Sequence, residues 1–346
     1  MNRQWADFLR AQGAAFDGDR VTDFGDPARE RDAAPAGDCV VDLSHLALVR
    51  VSGSDSTTFL NGQLTNDIQR VDTAHSQLSA WCSPKGRMLA LFRVMESDQS
   101  FLLQLPTVLR EQVIKRLRMY VLRAKVAIET VDDELVHFGV AGQGSAARLQ
   151  EMIGSLPSAV NHVLTSGGLI CVRLHGPIPR FEIVGTPDAA GSLWAELTKS
   201  ATRAGAAAWD RLDILAGIPT VLPQTSDAFV PQMANLDAID GVSFDKGCYT
   251  GQEIVARVHY RGRVKQRMYR AHVEDAAAPQ PGDSVFASEL PGQSAGTVVI
   301  AAASPEGGND LLAVIQSDSV ARGELHLYRA DGPTLAIQSL PYRLPD

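Results

Sequence analysis

Lys246-Gly247-Cys248-Tyr249-Thr250-Gly251-Gln252-Glu253 places an ammonium, a thiol, a phenol, an amide and a carboxylate within one short run hinged by two glycines. A turn needs the glycines, but it has no use for so many different polar groups. The chain continues through Ile254-Val255-Ala256-Arg257-Val258, a helical or extended stretch, into the basic tract Arg261-Gly262-Arg263-Val264-Lys265-Gln266-Arg267. From Asp245 to Arg270, Lys246, Arg257, Arg261, Arg263, Lys265, Arg267 and Arg270 face only Asp245 and Glu253. That is a local excess of positive charge on a chain of net charge −8. Such a run is either a solvated basic strand or a wall facing an anionic ligand.

Cys248 is the reactive candidate. A thiol reacts as thiolate, and a nearby lysine such as Lys246 or a helix N-terminus favours that form. The competing reading is a buried cysteine in a tight turn. No particular histidine can be assigned as its base, although His259 is nearest in sequence. Gln252 and Glu253 stand where an element leaves the glycine turn. They suit either the polar edges of a ligand or a cap on that element.

A second polar cluster is Leu60-Asn61-Gly62-Gln63-Leu64-Thr65-Asn66-Asp67-Ile68. Asn61, Gln63, Thr65, Asn66 and Asp67 offer mixed donors and acceptors at a helix end. That suits a pocket reading a heterocycle as well as ordinary C-capping. A third group is basic: Arg116, Arg118, Arg123 and Lys125. Arg123, just before a predicted strand, is the one most suited to face a cavity.

Composition limits the alternatives. A chain of 346 residues with 45% hydrophobic and 21% charged residues has room for two or three domains of ordinary globular type. No apolar run reaches the ~20 residues that span a bilayer. The N-terminus lacks a signal-peptide core, so a cytoplasmic location is expected. The overall acidity argues against a nucleic-acid coat, and neither direct nucleic-acid binding nor membrane association is expected. Cys39, Cys82, Cys171 and Cys248 show no CxxC and no zinc-ligand spacing, and the first three sit in apolar surroundings. P-loop, GxGxxG, HExxH and EF-hand motifs are absent.

The pattern predicts an α+β protein. Residues 1–38 read as a short amphipathic helix and a polar lead-in. A strand at 48–51 precedes a helix ending near Leu64. Strands at 77–82, 87–95 and 100–105, a helix after Pro106 and a strand at 125–129 complete a strand–helix–strand–strand–helix–strand order, that of a ferredoxin-like domain. The order repeats from Leu135, with a helix at 144–152, strands at 169–174 and 180–184, and helices at 193–203 and 209–215. From Gln266 the chain reads as short strands separated by Gly/Pro turns, at 268–273, 285–286, 297–301, 311–315, 324–328 and 334–337. That spacing suggests a small closed or partly closed barrel.

With these residues in place, the chain resembles the YgfZ family of folate-binding proteins, relatives of the glycine-cleavage aminomethyltransferases. Residues 246–253 match the family signature K-G-C-Y-x-G-Q-E at every fixed position. Further matches are Phe59-Leu60-Asn61-Gly62-Gln63-Leu64-Thr65-Asn66-Asp67, Pro84-Lys85-Gly86-Arg87, Leu122-Arg123-Ala124-Lys125-Val126, Ala216-Gly217-Ile218-Pro219 and Pro231-Gln232-Met233-Ala234-Asn235-Leu236. The resemblance covers essentially the whole chain.

It implies an aminomethyltransferase-like, three-domain ring around a central channel: an N-terminal segment at 1–38, a ferredoxin-like domain at 39–134, a second α+β domain at 135–262 and a C-terminal β-barrel at 263–346. It also implies tetrahydrofolate in that channel and a role in assembling or repairing certain iron–sulfur enzymes, including one that modifies tRNA. Partners would then be iron–sulfur enzymes or their assembly proteins. Cys248 and Lys246 would be the functional thiol and its partner. Asn61, Gln63, Thr65, Asn66, Asp67, Arg123, Tyr249, Gln252, Glu253 and Arg257 would line the folate site.

The sequence departs from the transferases at one point. Ala90 and Leu91 stand where those enzymes carry paired aspartates, and Leu215 where they carry a pterin-binding glutamate. Without a carboxylate to orient the folate amine, a C1 transferase becomes the alternative reading, beside a scaffold with a vestigial channel. One cysteine cannot hold a cluster alone, since iron–sulfur clusters usually take about four protein thiolates.

Overall fold

Asn2 starts the first helix, its side-chain oxygen accepting the Trp5 backbone N–H at 3.0 Å. In this computed structural model residues 1–346 are described, apart from residues 263, 276 and 346 and the side chains of 34–36 and 261. Helix α1 (Arg3–Ala11) buries Trp5 and Leu9 on one face. The Trp5 indole N–H donates to Asp42 Oδ1 at 2.7 Å. A hairpin of β1 (Ala15–Asp17) and β2 (Arg20–Asp23) follows, then α2 (Pro27–Ala36), which Asp26 caps and Pro27 opens. Glu30 of α2 is buried, and its carboxylate accepts the N–H groups of Phe24, Asp26 and Gly205. The polar lead-in expected from sequence is therefore folded, because a single glutamate satisfies two backbone donors within it and a third, from Gly205, outside it.

The next elements are β3 (Cys39–Asp42), β4 (Leu46–Ser52), α3 (Ser56–Gln63), β5 (Gln77–Cys82), β6 (Met88–Ser97), β7 (Ser100–Pro106), α4 (Thr107–Val121) and β8 (Ala127–Thr130). Their sheet runs β5-β6-β7-β4-β8, with β4 antiparallel to both β7 and β8. With β5 as an added edge strand, β4, β6, β7 and β8 form the ferredoxin-like arrangement, in which the first strand, β4, lies between β7 and β8. On α4, the buried Leu109, Val113, Ile114 and Leu117 follow the helical period read from sequence.

The order then repeats through β9 (Val136–Ala141), α5 (Gln143–Ile153), β10 (Val163–Ser166), β11 (Leu169–Arg173), β12 (Arg180–Gly185), α6 (Pro187–Leu197), β13 (Thr202–Ala204) and α7 (Ala206–Ala216). Two features depart from expectation. The sheet runs β10-β11-β12-β9-β3-β13, so β3 occupies the place beside β9 that a fourth repeat strand would take. β13 pairs with β3 in parallel instead. The helix predicted at 193–203 also begins and ends earlier, because Thr186 accepts the Ala189 N–H and Pro187 opens the first turn.

After the signature come α8 (Gln252–Arg261), β14 (Gln266–Val273), β15 (Ser284–Ala287), β16 (Ser294–Ala303), β17 (Asn309–Gln316), α9 (Ser317–Arg322), β18 (Leu325–Leu327) and β19 (Leu335–Gln338). The sheet order is β18-β15-β16-β17-β14-β19, and a bridge between His326 and Thr334 draws its two edges together. The C-terminal sheet is thus a partly closed barrel, filled by Val273, Val285, Val298, Leu311, Ile315 and Leu327.

The chain divides into two compact units, each assembled from segments discontinuous in sequence. The first comprises Met1–Phe59, Gln69–Gln77 and Arg93–Leu212, and the second Leu60–Ile68, Leu78–Phe92 and Asp213–Asp346. In the first, Trp5, Phe138 and Trp194 form a buried aromatic cluster with edge-to-face contacts of 5.6 and 5.4 Å to Trp194. Among the described residues no helix is long and apolar enough to cross a membrane.

Candidate functional site

Inside the second unit, the signature and the end of α3 come together. Gly251 holds φ at +81° and sits at the N-cap of α8. A Cβ there would lie 2.3 Å from the Ser83 carbonyl oxygen. A Cβ on Gly86, at φ +69°, would lie 2.8 Å from Ile254 Cβ and 3.1 Å from the Gly251 carbonyl oxygen. These two glycines let the Ser83–Gly86 turn dock on the start of α8, where any side chain would push them apart. Ser83 also donates its hydroxyl to Asp227 Oδ1 at 2.7 Å.

Lys246 ends its reach at backbone carbonyls. Its Nζ donates to the carbonyl oxygens of Asn61 and Leu64, both at 2.6 Å, and of Asn66 at 3.0 Å. It also stands 5.1 Å from the centre of the Tyr249 ring. The last carbonyls of a helix lack internal partners and carry the negative end of its dipole. Lys246 therefore acts as a C-terminal cap on α3, supplied from a distant part of the chain. Burial pulls its pKa down to about 8, with the Asp67 carboxylate acting in the opposite direction.

The other polar groups of this cluster divide into those bound within the fold and those left over. Thr65 is fully buried, donating to the Gly241 carbonyl at 2.9 Å and accepting the Ala80 N–H at 2.8 Å. The Asn66 amide donates to the Leu78 and Asp240 carbonyls at 3.0 and 2.6 Å. Asn61 Oδ1 accepts the Ile68 N–H at 3.2 Å. Gln63 differs from these: its Oε1 is buried and has no hydrogen-bond partner.

Among the cysteines, Cys248 is exposed whereas Cys39, Cys82 and Cys171 are buried. Burial pushes the thiols of those three up to about 12. Tyr249 is buried under the signature, and its phenol is driven well above its usual range by burial and then by Cys82. Gln252 is half-buried at the first residue of α8, and Glu253 and Arg257 are exposed on that helix. Arg123 belongs to the first unit, exposed in the turn after α4.

Among the described residues of the basic tract, two are held inside the fold. Lys246 is taken up by carbonyls, and Arg267 is buried in an ion pair with Asp237 at 2.7 Å. Lys265 is exposed and Arg270 half-buried, while Arg263 and the Arg261 side chain lie outside the described residues. Sequence reasoning missed the backbone acceptors that organise the cluster, and it missed Phe244 stacked on His259 at 3.7 Å. Carbonyl partners carry no residue signature. The aromatic pair is fifteen positions apart, beyond any local periodicity.

Comparison with known proteins agrees with this architecture. Residues 15–163 match the GCVT N-terminal domain family. The chain is 32% identical to the tRNA-modifying protein YgfZ of Klebsiella pneumoniae over 304 residues, covering 88% of this chain and 93% of that protein. It is likewise 32% identical to the YgfZ protein of Sodalis glossinidius over 306 residues, with the same coverage. The crystal structure of the glycine cleavage system aminomethyltransferase T from Bartonella henselae superposes with a TM-score of 0.72 at 16% identity, over 99% of this chain and 97% of that one. On the signature, the shared aminomethyltransferase fold and near full-length similarity, the chain belongs to the YgfZ family.

Proposed function

We propose that this protein binds tetrahydrofolate and supports the assembly or repair of iron–sulfur enzymes in the cytoplasm, with Cys248 as its working thiol. The observation that carries the folate reading is Gln63 Oε1, a buried acceptor without a donor. A reduced pterin presents several N–H groups and is the kind of ligand such an atom suits. Tyr249 and Gln252 are the further residues that would hold it. Thr65, Asn66 and Lys246, already engaged with backbone, shape the site without contacting the ligand. Bound folate would supply a one-carbon carrier and an apolar, planar surface.

Cys248 is the exposed thiol among otherwise buried ones, which favours exchange with a partner over chemistry closed within the chain. The transferase reading is weaker. Ala90 is fully buried in β6 and Leu215 is half-buried on α7, so neither offers a carboxylate to a folate amine.

Two measurements test the proposal. Tetrahydrofolate should change the tryptophan fluorescence of the wild type, and a Gln63→Leu variant should bind it at least tenfold more weakly. A strain lacking the protein should regain iron–sulfur enzyme activity from the wild type and not from Cys248→Ala. Full rescue by Cys248→Ala removes the thiol role, and unchanged folate affinity in Gln63→Leu removes the assigned contact.

A further inference from the structure

His75 and His162 stand opposite each other where two segments of the first unit pair, residues 72–76 and 158–163. The Val163 N–H donates to the Ala74 carbonyl at 2.8 Å, and the Ser76 N–H to the Asn161 carbonyl at 2.7 Å. These two bonds flank the histidines, which makes them a non-hydrogen-bonded antiparallel pair. In such a pair the side chains share one face and the Cα atoms are only ~4.5 Å apart. The two imidazoles accordingly meet with their ring centroids 5.0 Å apart, at an interplanar angle of 84°.

Each ring is oriented through its Nδ1. Asp72 Oδ1 lies 2.8 Å from His75 Nδ1 and also accepts the Ala74 N–H at 2.8 Å. An ionised carboxylate only accepts, so it selects the tautomer with the proton on Nδ1 and leaves a lone pair on Nε2. Ser158 Oγ stands 3.1 Å from His162 Nδ1, and a hydroxyl oxygen can accept from the same tautomer. Among the described residues neither Nε2 has a hydrogen-bond partner. His75 is exposed and His162 half-buried, so solvent reaches the pair.

An imidazole whose Nδ1 is engaged by an oxygen and whose Nε2 is free is oriented as metal-ligating histidines are. The spacing agrees with a shared ion. With metal–nitrogen bonds of ~2.0–2.1 Å and a near-tetrahedral angle, two imidazole centroids on one zinc stand ~5 Å apart. Imidazole nitrogen selects zinc, nickel or copper over magnesium and calcium, which take oxygen ligands. Among the described residues no group of three or more His, Cys, Asp or Glu side chains is placed to hold an ion. Water would therefore complete the shell, and the ion would exchange more readily than one closed in by four protein ligands. We propose that His75 and His162 bind one divalent first-row transition ion through their Nε2 atoms, clipping residues 72–76 to residues 158–163. The site shares no residue with the folate reading and stands or falls separately from it.

The test titrates Zn²⁺, Ni²⁺ and Mg²⁺ into the untagged full chain by calorimetry, and repeats the titrations on Cys248→Ser, His75→Asn and His162→Asn. Zn²⁺ or Ni²⁺ should bind the wild type and Cys248→Ser equally, and each histidine variant at least about tenfold more weakly. An ion that binds only the folded chain stabilises it. Saturating Ni²⁺ should thus raise the thermal midpoint of the wild type and not that of either histidine variant. Anomalous scattering from nickel-soaked crystals should place the ion between the two rings. If His162→Asn fails to fold, the exposed His75→Asn and the anomalous signal carry the same question.

Four results overturn the proposal. They are no binding of Zn²⁺ or Ni²⁺ by the wild type (an edge-to-face ring contact only), undiminished binding by either histidine variant, loss of binding in Cys248→Ser, or displacement of the ion by Mg²⁺.

Discussion

Lys246 Nζ donates to the Leu64 carbonyl at 2.6 Å, tying the signature to the end of a helix 182 residues earlier in the chain. The ammonium replaces the missing hydrogen-bond partners of that helix terminus and faces its negative pole. Lys246→Met keeps the length and apolar stem but leaves the three carbonyls without this donor. It should lower stability by about 1–3 kcal/mol, measured by urea unfolding. Loss of less than a few tenths would show that water replaces the ammonium without cost.

The glycines of the signature should differ sharply. Gly247→Ala meets open space, and its backbone is not in the left-handed region. It should change the midpoint of thermal unfolding little. Gly251→Ala places a Cβ 2.3 Å from the Ser83 carbonyl at a positive φ. It should cost about 2 kcal/mol or more. Similar midpoints for the two variants would refute the docking of the Ser83–Gly86 turn on α8.

Thiol titration separates the cysteines. Cys248 is exposed, while the other three are buried with thiols pushed up to about 12. Native protein should therefore react rapidly with Ellman's reagent at one site, and the remaining three should appear only on unfolding. Cys248→Ser should abolish the fast phase. A fast phase surviving that change would contradict the burial of Cys39, Cys82 or Cys171.

A pH dependence should arise in the first unit from His137. Its Nδ1 lies 3.0 Å from Glu182 Oε1 and 3.1 Å from Gln104 Nε2, and its Nε2 lies 3.0 Å from the Leu46 carbonyl, so an acceptor stands at each ring nitrogen. Burial opposes its charge, but the bond to Glu182, its charge, the Leu46 carbonyl and Asp42 outweigh that and raise the pKa. A raised folded-state pKa stabilises fully below the unfolded value of ~6.5 and is lost as pH rises through the folded one. The advantage of the wild type over His137→Gln should thus shrink from pH 6 to alkaline pH in urea titrations. An advantage growing with pH would reverse the assignment. His137→Ala, which strands Glu182, should cost about 3–5 kcal/mol at pH 6.

Much of the fold is legible in the sequence where local periodicity decides it. The buried face of α4 and the strands of the C-terminal barrel follow spacing alone, because a period of 3.6 or 2 reflects which side meets the core. Where a distant segment decides, that reading fails. The place beside β9 goes to β3, a choice made between strands about a hundred residues apart. The candidate site was legible as two polar segments, but not as one cluster. Lys246 looks like the partner of a neighbouring thiol in sequence, yet its ammonium is held by backbone oxygens that no side-chain pattern records. Arg267, one residue of the basic run, likewise lies inside an ion pair with Asp237. Gln63 stood out in sequence only as one amide among several. Its unpaired oxygen is visible only once its neighbours have been accounted for.

The insertion of β3 has a consequence for synthesis. Residues 39–42 emerge early, yet their parallel neighbour β13 ends at Ala204. On a ribosome the strand pair cannot close until both have left the exit tunnel, and at about 5–20 residues per second that wait lasts many seconds. Over that interval β3, with its run of Cys39, Val40 and Val41, presents an open edge to other nascent chains. Pairings so distant in sequence also raise contact order and slow folding. Vulnerability to aggregation during translation should therefore concentrate at β3, far in sequence from the signature that defines the family.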